Sequence, residues 1–166
     1  MTTPRRTRPL PPATLAAVVA TPFGRMGVLC APGAVRELRF LPPDTPLLAP
    51  CSPLAQHAAD AIFRWLDDPA YHPDLPFATA GTAFQNRVWQ AIREIPLGQM
   101  DTYGAIAARL GSAARAVGQA CGANPFPLFV PCHRVVSATG IGGFSGSRDG
   151  YQLAAKRWLL AFEAQL

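Results

Sequence analysis

The chain has 166 residues, 49% hydrophobic and 15% charged, enough apolar material for one domain or two small ones sharing a core. No uninterrupted apolar run approaches the roughly 18 residues of a membrane span, and the opening MTTPRRTRPLPP lacks the apolar core of a signal peptide, so a cytoplasmic protein with no membrane partner is expected. The net charge of +5 is unevenly placed: residues 1–12 carry three Arg, residues 13–77 four Arg against six acids, and residues 78–166 eight basic groups against four acids. Any polyanion contact is therefore expected in the basic tail and the C-terminal half. Four cysteines, Cys30, Cys51, Cys121 and Cys132, form no C-x-x-C pair, and a chain this long needs no disulfide staples, so reduced thiols are expected.

In chain order, residues 1–12 read as a flexible basic arm. Thr14–Ala20, Met26–Cys30 and Val35–Phe40 are short apolar strands separated by Thr21-Pro22-Phe23-Gly24 and Pro32-Gly33, which predicts an antiparallel meander. The loop Pro42–Pro50 leads to Ser52-Pro53, a cap followed by proline at the first helical position, and Leu54, Ala58, Ile62 and Trp65 recur at helical spacing until Asp67-Asp68-Pro69. Tyr71–Phe77, with two prolines, reads as a linker, which places a domain boundary between 13–77 and 78–166.

The second half turns helical. Thr82 and Gln85 fit a capping box ahead of the stripe Phe84, Val88, Ala91 and Ile95, which Pro96 and Gly98 stop. Tyr103–Leu110 follows, capped by Asp101 or Thr102 and stopped by Gly111; Ser112 is expected to cap a further helix over Ala113–Gly122. Two short helices joined by Gly111-Ser112 have the size of a helix-turn-helix, although many such pairs never touch DNA. The apolar run Leu128–Val130 enters Pro131-Cys132-His133-Arg134, a glycine-crowded loop holds Gly140, Gly142, Gly143 and Gly146, and a last helix is predicted over Leu153–Ala164.

Cys132 is the sharpest chemical feature. A cysteine among apolar residues is most often a small core residue, but here proline precedes it and histidine follows. A thiolate is the reactive form, and a partner that takes its proton raises the thiolate fraction. In an extended segment adjacent side chains point to opposite faces, so His133 is expected to reach Cys132 through a water unless the chain bends.

Pro131-Cys132-His133-Arg134-Val135-Val136 resembles the active-site motif of the O6-alkylguanine-DNA alkyltransferases. Gly81–Trp89, Ile95–Gly98, Ala114–Gly118, Asn124-Pro125 and Lys156–Leu160 resemble further family segments in order and spacing, so the likeness covers nearly all of residues 80–163. Residues 14–77 resemble the family's variable N-terminal domain only through Thr21–Gly24. The resemblance implies an α+β protein: a small N-terminal antiparallel sheet with a helix, then a mostly helical, winged-helix-like domain with a helix-turn-helix.

It also implies direct reversal of O6-alkylguanine, with O4-alkylthymine left open, by one irreversible transfer to Cys132 that uses no cofactor. His133 would be the base through water and Glu163 would hold its tautomer. Tyr103 would donate toward guanine, Asn124 would brace the turn before the active-site segment, and Ser145 would contact O6. The Val135 and Cys132 carbonyls would accept from the exocyclic amine, and Phe144 would wall the pocket where many relatives have tyrosine. The partner implied is double-stranded DNA bound by a monomer, with the lesion flipped out. Arg115 would fill the gap in the stack, and Gln85, Gly104 and Ser112 would approach the backbone.

The loop Ser147–Leu153 looks longer than in the shortest relatives and would border the pocket. Some family members bind zinc in the N-terminal domain, but Cys30, Cys51, His57 and His72 do not have a tight zinc spacing, so no metal is expected. A non-catalytic sensor of alkylated DNA is the main rival reading, and it is disfavoured by the cysteine at position 132; a cysteine hydrolase is disfavoured because no oxyanion site is evident.

Overall fold

A computed structural model describes residues 14–144 and 150–166. The arm over residues 1–12, Ser145 and the first three residues of the loop expected over Ser147–Leu153 lie outside the described residues; its remaining four residues are helical. The architecture is α+β.

The meander forms as its turn residues require. Strands β1 (Thr14–Thr21), β2 (Gly24–Ala31) and β3 (Ala34–Leu41) pair antiparallel in the order β1-β2-β3, with bulges at Leu15/Ala17 and Leu29/Cys30. The loop segment at Leu48 pairs with Val18 on the free edge of β1. The free edge of β3 is closed by later loops: Val35 N–H donates to the Pro76 carbonyl at 2.7 Å and, from the second half of the chain, the Pro125 carbonyl accepts from Leu38 N–H at 2.8 Å. Unpaired edge groups are thus satisfied by loops rather than by a further strand.

Helix α1 (Pro53–Asp67) begins as the sequence predicts, with the Ser52 hydroxyl accepting from Ala55 N–H at 3.1 Å. It buries Ala58, Ala61, Ile62 and Trp65 against the sheet and the second half. Burying a large apolar side chain stabilises by roughly 1.5–3 kcal/mol, so this face rather than propensity holds the helix in place. Helix α2 (Ala83–Arg93) carries both bonds of the Thr82–Gln85 capping box, and its Trp89 Nε1 donates to the Ala120 carbonyl at 2.8 Å.

The helix pair α3 (Tyr103–Leu110) and α4 (Ala114–Gly122) follows. Thr102, not Asp101, caps α3 through Ala105 N–H at 3.0 Å, while Asp101 receives Arg109 at 2.7 Å. Gly111 ends α3 with φ +65°, a left-handed conformation suited to glycine, and Ser112 N–H then closes back on the Ala107 carbonyl at 2.9 Å. This corrects the expectation that Ser112 caps α4. Its N–H belongs to the closure of α3, and the N-cap of α4 is Ala113, with no side-chain cap bond.

A two-residue parallel ladder, β4 (Asp101–Thr102) with β5 (Val135–Val136), ties the start of α3 to the segment after Cys132. Such a short pairing leaves no periodic signal in the sequence. The last helix, α5 (Gly150–Glu163), starts three residues earlier than predicted. One hydrophobic cluster contains Phe23, Phe40, Ile62 and Trp65 together with Val88, Ile106, Val117, Phe144 and Leu159, so the core crosses the boundary drawn at residue 77.

Candidate active site

The chain delivers Cys132 through a braced turn. After α4, the Asn124 amide donates to the Val130 carbonyl at 2.8 Å and its Oδ1 accepts from Phe126 N–H at 3.0 Å. Within this turn buried Leu128 adopts φ 75°, a conformation costly for a side chain of its size. The run Leu128–Val130 is therefore a fixed turn and not a strand. Cys132–Arg134 is likewise not extended: it is a single 3-10 turn, with Arg134 N–H bonded to the Pro131 carbonyl at 3.0 Å. Successive side chains there are rotated by about 120° rather than reversed, so Cys132 and His133 do not point to opposite faces.

All three side chains of that turn are buried. His133 Nε2 lies 2.8 Å from Glu163 Oε1. The same carboxylate accepts Arg134 Nε at 2.9 Å on Oε2 and Arg134 Nη2 at 2.8 Å on Oε1, while Arg134 Nη1 donates to the Ile95 carbonyl at 2.9 Å. Burial would raise the Glu163 carboxyl, but hydrogen bonds and charge from His133 and Arg134 outweigh it and hold the group at about 2. Glu163 is thus ionised and acceptor-only, so neutral His133 carries its proton on Nε2 and leaves a basic lone pair on Nδ1. Among the described residues nothing bonds to buried Nδ1. Burial, with the Arg134 and Lys156 charges, pushes His133 below its usual value against the opposing pull of Glu163, which favours the neutral imidazole.

Cys132 is 4% exposed. Burial pushes its thiol up to about 11, against the opposing pull of the Asn124 side chain and the Lys156 charge. At neutral pH it is a thiol that must lose a proton before it can attack. Lys156, from α5, is fully buried and donates to the Val135 carbonyl at 2.7 Å, the Gly143 carbonyl at 2.9 Å and Tyr103 Oη at 3.4 Å. Burial lowers Lys156 to about 8, so the amine stays charged at neutral pH. Tyr103 keeps its proton, raised to about 12 chiefly by burial, and lies 3.3 Å from the Gly143 carbonyl. Gly142, at φ +72°, lets the loop pass over this ring; a Cβ there would come within 2.9 Å of Tyr103 Cε2. Phe144 is buried and packs on Phe40 of β3 with centroids 5.1 Å apart. Cys132, His133, Glu163, Tyr103, Asn124, Val135 and Phe144 are therefore brought to one region.

The residues assigned to DNA lie elsewhere, on the surface. Arg115, Gly104 and Ser112 are exposed, and Gln85 is half-buried. Gln85 Oε1 is occupied by Thr82 N–H at 2.9 Å. Gly104 stands in the first turn of α3, where backbone N–H groups lack helical partners. Gly118 of α4 faces the Tyr103 ring, so α4 packs over the edge of the buried group.

The family profile "6-O-methylguanine DNA methyltransferase, DNA binding domain" matches residues 83–165, the segment that carries every polar group of this cluster. The chain belongs to that family. The methylated-DNA–protein-cysteine methyltransferase of Salmonella typhimurium is 52% identical over 94 residues, which is 55% of this chain and 53% of that protein. The constitutive enzyme of Bacillus subtilis is 49% identical over 77 residues, 45% of this chain and 47% of its own length. The chain thus spans about half the length of the curated relatives it matches. The solved O6-methylguanine methyltransferase of Mycobacterium tuberculosis extends the likeness, with 30% identity over 92% of this chain and 94% of its own, at a TM-score of 0.71. The same enzyme in complex with DNA superposes at 0.70, with 32% identity over 89% and 91% of the two chains. The N-terminal sheet and α1, outside the matched profile, therefore belong to the methyltransferase fold as well.

Three residues at the centre had no role in the sequence reading: Arg134, Lys156 and Trp65. The spacing Leu153, Lys156, Leu159, Glu163 repeats every three or four residues and puts a lysine and a glutamate on the apolar stripe of α5, a signal that could have singled them out. Among the described residues there is no group of three or more His, Cys, Asp or Glu that could hold a metal, and no helix is long and apolar enough to cross a membrane.

Proposed function

We propose that this methyltransferase-family protein reverses O6-alkylguanine damage by moving the alkyl group to Cys132 in one irreversible step. The observation that carries the reading is the buried Cys132 thiol followed by a histidine whose Nε2 is fixed on Glu163 and whose Nδ1 is left free to take a proton. The Cys132 proton passes to His133 Nδ1 through a water while the sulfur attacks the alkyl carbon. The S–C bond forms, the C–O6 bond breaks, and the electron pair leaves on guanine. Tyr103 donates a proton toward the departing ring, which offsets the negative charge developing there. The product is a thioether, which has no hydrolytic exit, so each molecule reacts once.

The lesion is presented by double-stranded DNA, with the nucleotide flipped out because the stack blocks in-line attack. Exposed Arg115 at the start of α4 fills the vacated place, the small residues Ala113, Ala114, Ala116 and Gly118 allow close approach, and Gln85, Gly104 and Ser112 meet the backbone. Phe144 walls the pocket, Ser145 contacts O6, and the Cys132 and Val135 carbonyls accept from the exocyclic amine. Val135 does so on its second lone pair, since Lys156 uses the first. Asn124 braces the turn that presents the thiol. The protein acts as a cytoplasmic monomer, with residues 1–12 as a basic arm, 13–77 as the N-terminal domain and 78–166 as the DNA-binding and transfer domain.

The test is intact mass after incubation with a duplex containing one O6-methylguanine, followed by peptide mapping. The expected result is a gain of about one methylene on the peptide carrying Cys132, saturating at one per protein and absent in Cys132→Ala. Tight lesion binding without a mass change would make the protein a damage sensor and overturn the proposal.

A further inference from the structure

Glu163 fixes one nitrogen of the His133 ring, but a single hydrogen bond leaves the ring free to swing about that contact. The second support comes from outside the matched family segment. Trp65, on α1, is 1% exposed and meets His133 edge-on-face, with ring centroids 5.8 Å apart and planes at 90°. It is the one aromatic ring in contact with His133 among the described residues. Trp65 is in turn held against α5 by Phe162, at 6.4 Å, and Phe162 stacks on Trp158 at 4.9 Å. The indole is therefore wedged between the helix carrying Glu163 and the imidazole that Glu163 orients.

We infer that Trp65 is a positioning residue for the transfer: its indole fixes the plane of the His133 ring and keeps bulk water from it, making the N-terminal half part of the reaction machinery. The inference rests on the role of His133 as base proposed above. The groups that set His133 protonation are Glu163 and Lys156 from α5 and Arg134 from its own turn. The buried residues of α1 are Ala55, Ala58, Ala59, Ala61, Ile62 and Trp65, none of them charged, so this helix acts on His133 through packing and desolvation. Burial is the largest influence lowering His133, and the indole is the largest aromatic surface supplying it. Removing the ring admits water, raises the share of protonated imidazole at neutral pH and lets Nδ1 wander from the thiol.

The experiment compares Trp65→Ala, Trp65→Leu and Trp65→Phe with the unaltered full chain. It reads single-turnover alkyl transfer at saturating O6-methylguanine duplex from pH 5 to 9, duplex affinity, and the His133 titration by imidazole NMR. Trp65→Ala and Trp65→Leu are expected to slow transfer at neutral pH by roughly tenfold, part of what a positioned base supplies. They should also move the acid limb of the rate and the His133 titration upward together. Trp65→Phe, which keeps a flat ring, should restore most of the rate, and duplex affinity should stay within about twofold because Trp65 is buried away from the exposed face of α4. Leucine keeps apolar volume without a ring, so it provides the readout should alanine not fold. A folded Trp65→Leu protein with the original rate and an unmoved His133 titration would overturn the inference. If the unaltered chain transfers nothing, the functional reading fails instead, and the NMR titration still reports whether Trp65 controls His133.

Discussion

The buried centre and the exposed face of α3 and α4 are built on opposite plans. At the centre, Glu163 accepts three hydrogen bonds, Arg134 donates to two residues and Lys156 reaches three acceptors, so nearly every polar atom is committed and the geometry is fixed before any ligand arrives. Across the surface, Arg115 is exposed and the α4 cap uses no side chain. A reaction centre must be held still, because misplacement of the reacting atoms costs rate. A surface proposed to insert into a duplex must keep its charged side chain free to move. The difference implies that substitutions at the centre act on rate and stability, whereas substitutions on the face act on DNA binding.

The largest break in that comparison comes from the guanidinium at the centre. Arg134→Met leaves the Glu163 carboxylate, 3% exposed, without its cation and the Ile95 carbonyl without its donor. Breaking a buried pair by removing one partner costs about 3–5 kcal/mol, to be read from the denaturant midpoint. A loss under about 1 kcal/mol, the scale of an exposed pair, would mean the network is not closed as described.

A smaller effect is expected from pH. The unfolded chain takes up a proton on His133 near 6.5, while burial in the folded chain resists it, so this group erodes stability as pH falls through 6.5 toward its folded value. Transfer at saturating DNA should accordingly be level through neutral pH and decline only with a midpoint below 6.5; a midpoint above it would mean the base is less buried than the structure has it. Glu163 runs the other way, its folded value of about 2 lying below the ordinary 4.5. The stability it confers is complete above 4.5 and is lost only as the pH falls toward 2.

The smallest effect belongs to the basic arm. Removing residues 1–12 is expected to leave transfer at saturating DNA unchanged and to weaken nonspecific binding slightly, mostly at low salt. A lost transfer rate after truncation would place part of the centre in the arm.

What was legible in the sequence follows the same division. Local rules placed the meander, the Ser52-Pro53 start of α1 and the Thr82–Gln85 capping box, because each depends on residues within one turn of each other. The Cys132-His133 neighbourhood also stood out locally, whereas the roles given to the residues around it rested on the family resemblance. Ser112 was misread because two helix ends compete for three residues, and the closure of α3 won. Lys156 and Trp65 escaped because their roles arise from tertiary contacts 13 and more residues away along the chain, such as Lys156 to Gly143 and Val135. Only packing brings the indole of α1 onto His133, and no spacing within α1 distinguishes that ring from an ordinary core residue.

The division between a fixed centre and a free face is tested most directly by single-turnover transfer from two substrates, a duplex carrying O6-methylguanine and the free O6-alkylated guanine base. The variants are Glu163→Gln and Arg115→Ala. Glu163→Gln should be slowed on both substrates by roughly 10²-fold, the scale of a positioned base, whereas Arg115→Ala should be impaired on the duplex and normal on the free base, which needs no flipping. Equal impairment of Arg115→Ala on the free base, or an unaltered rate for Glu163→Gln, would contradict the account.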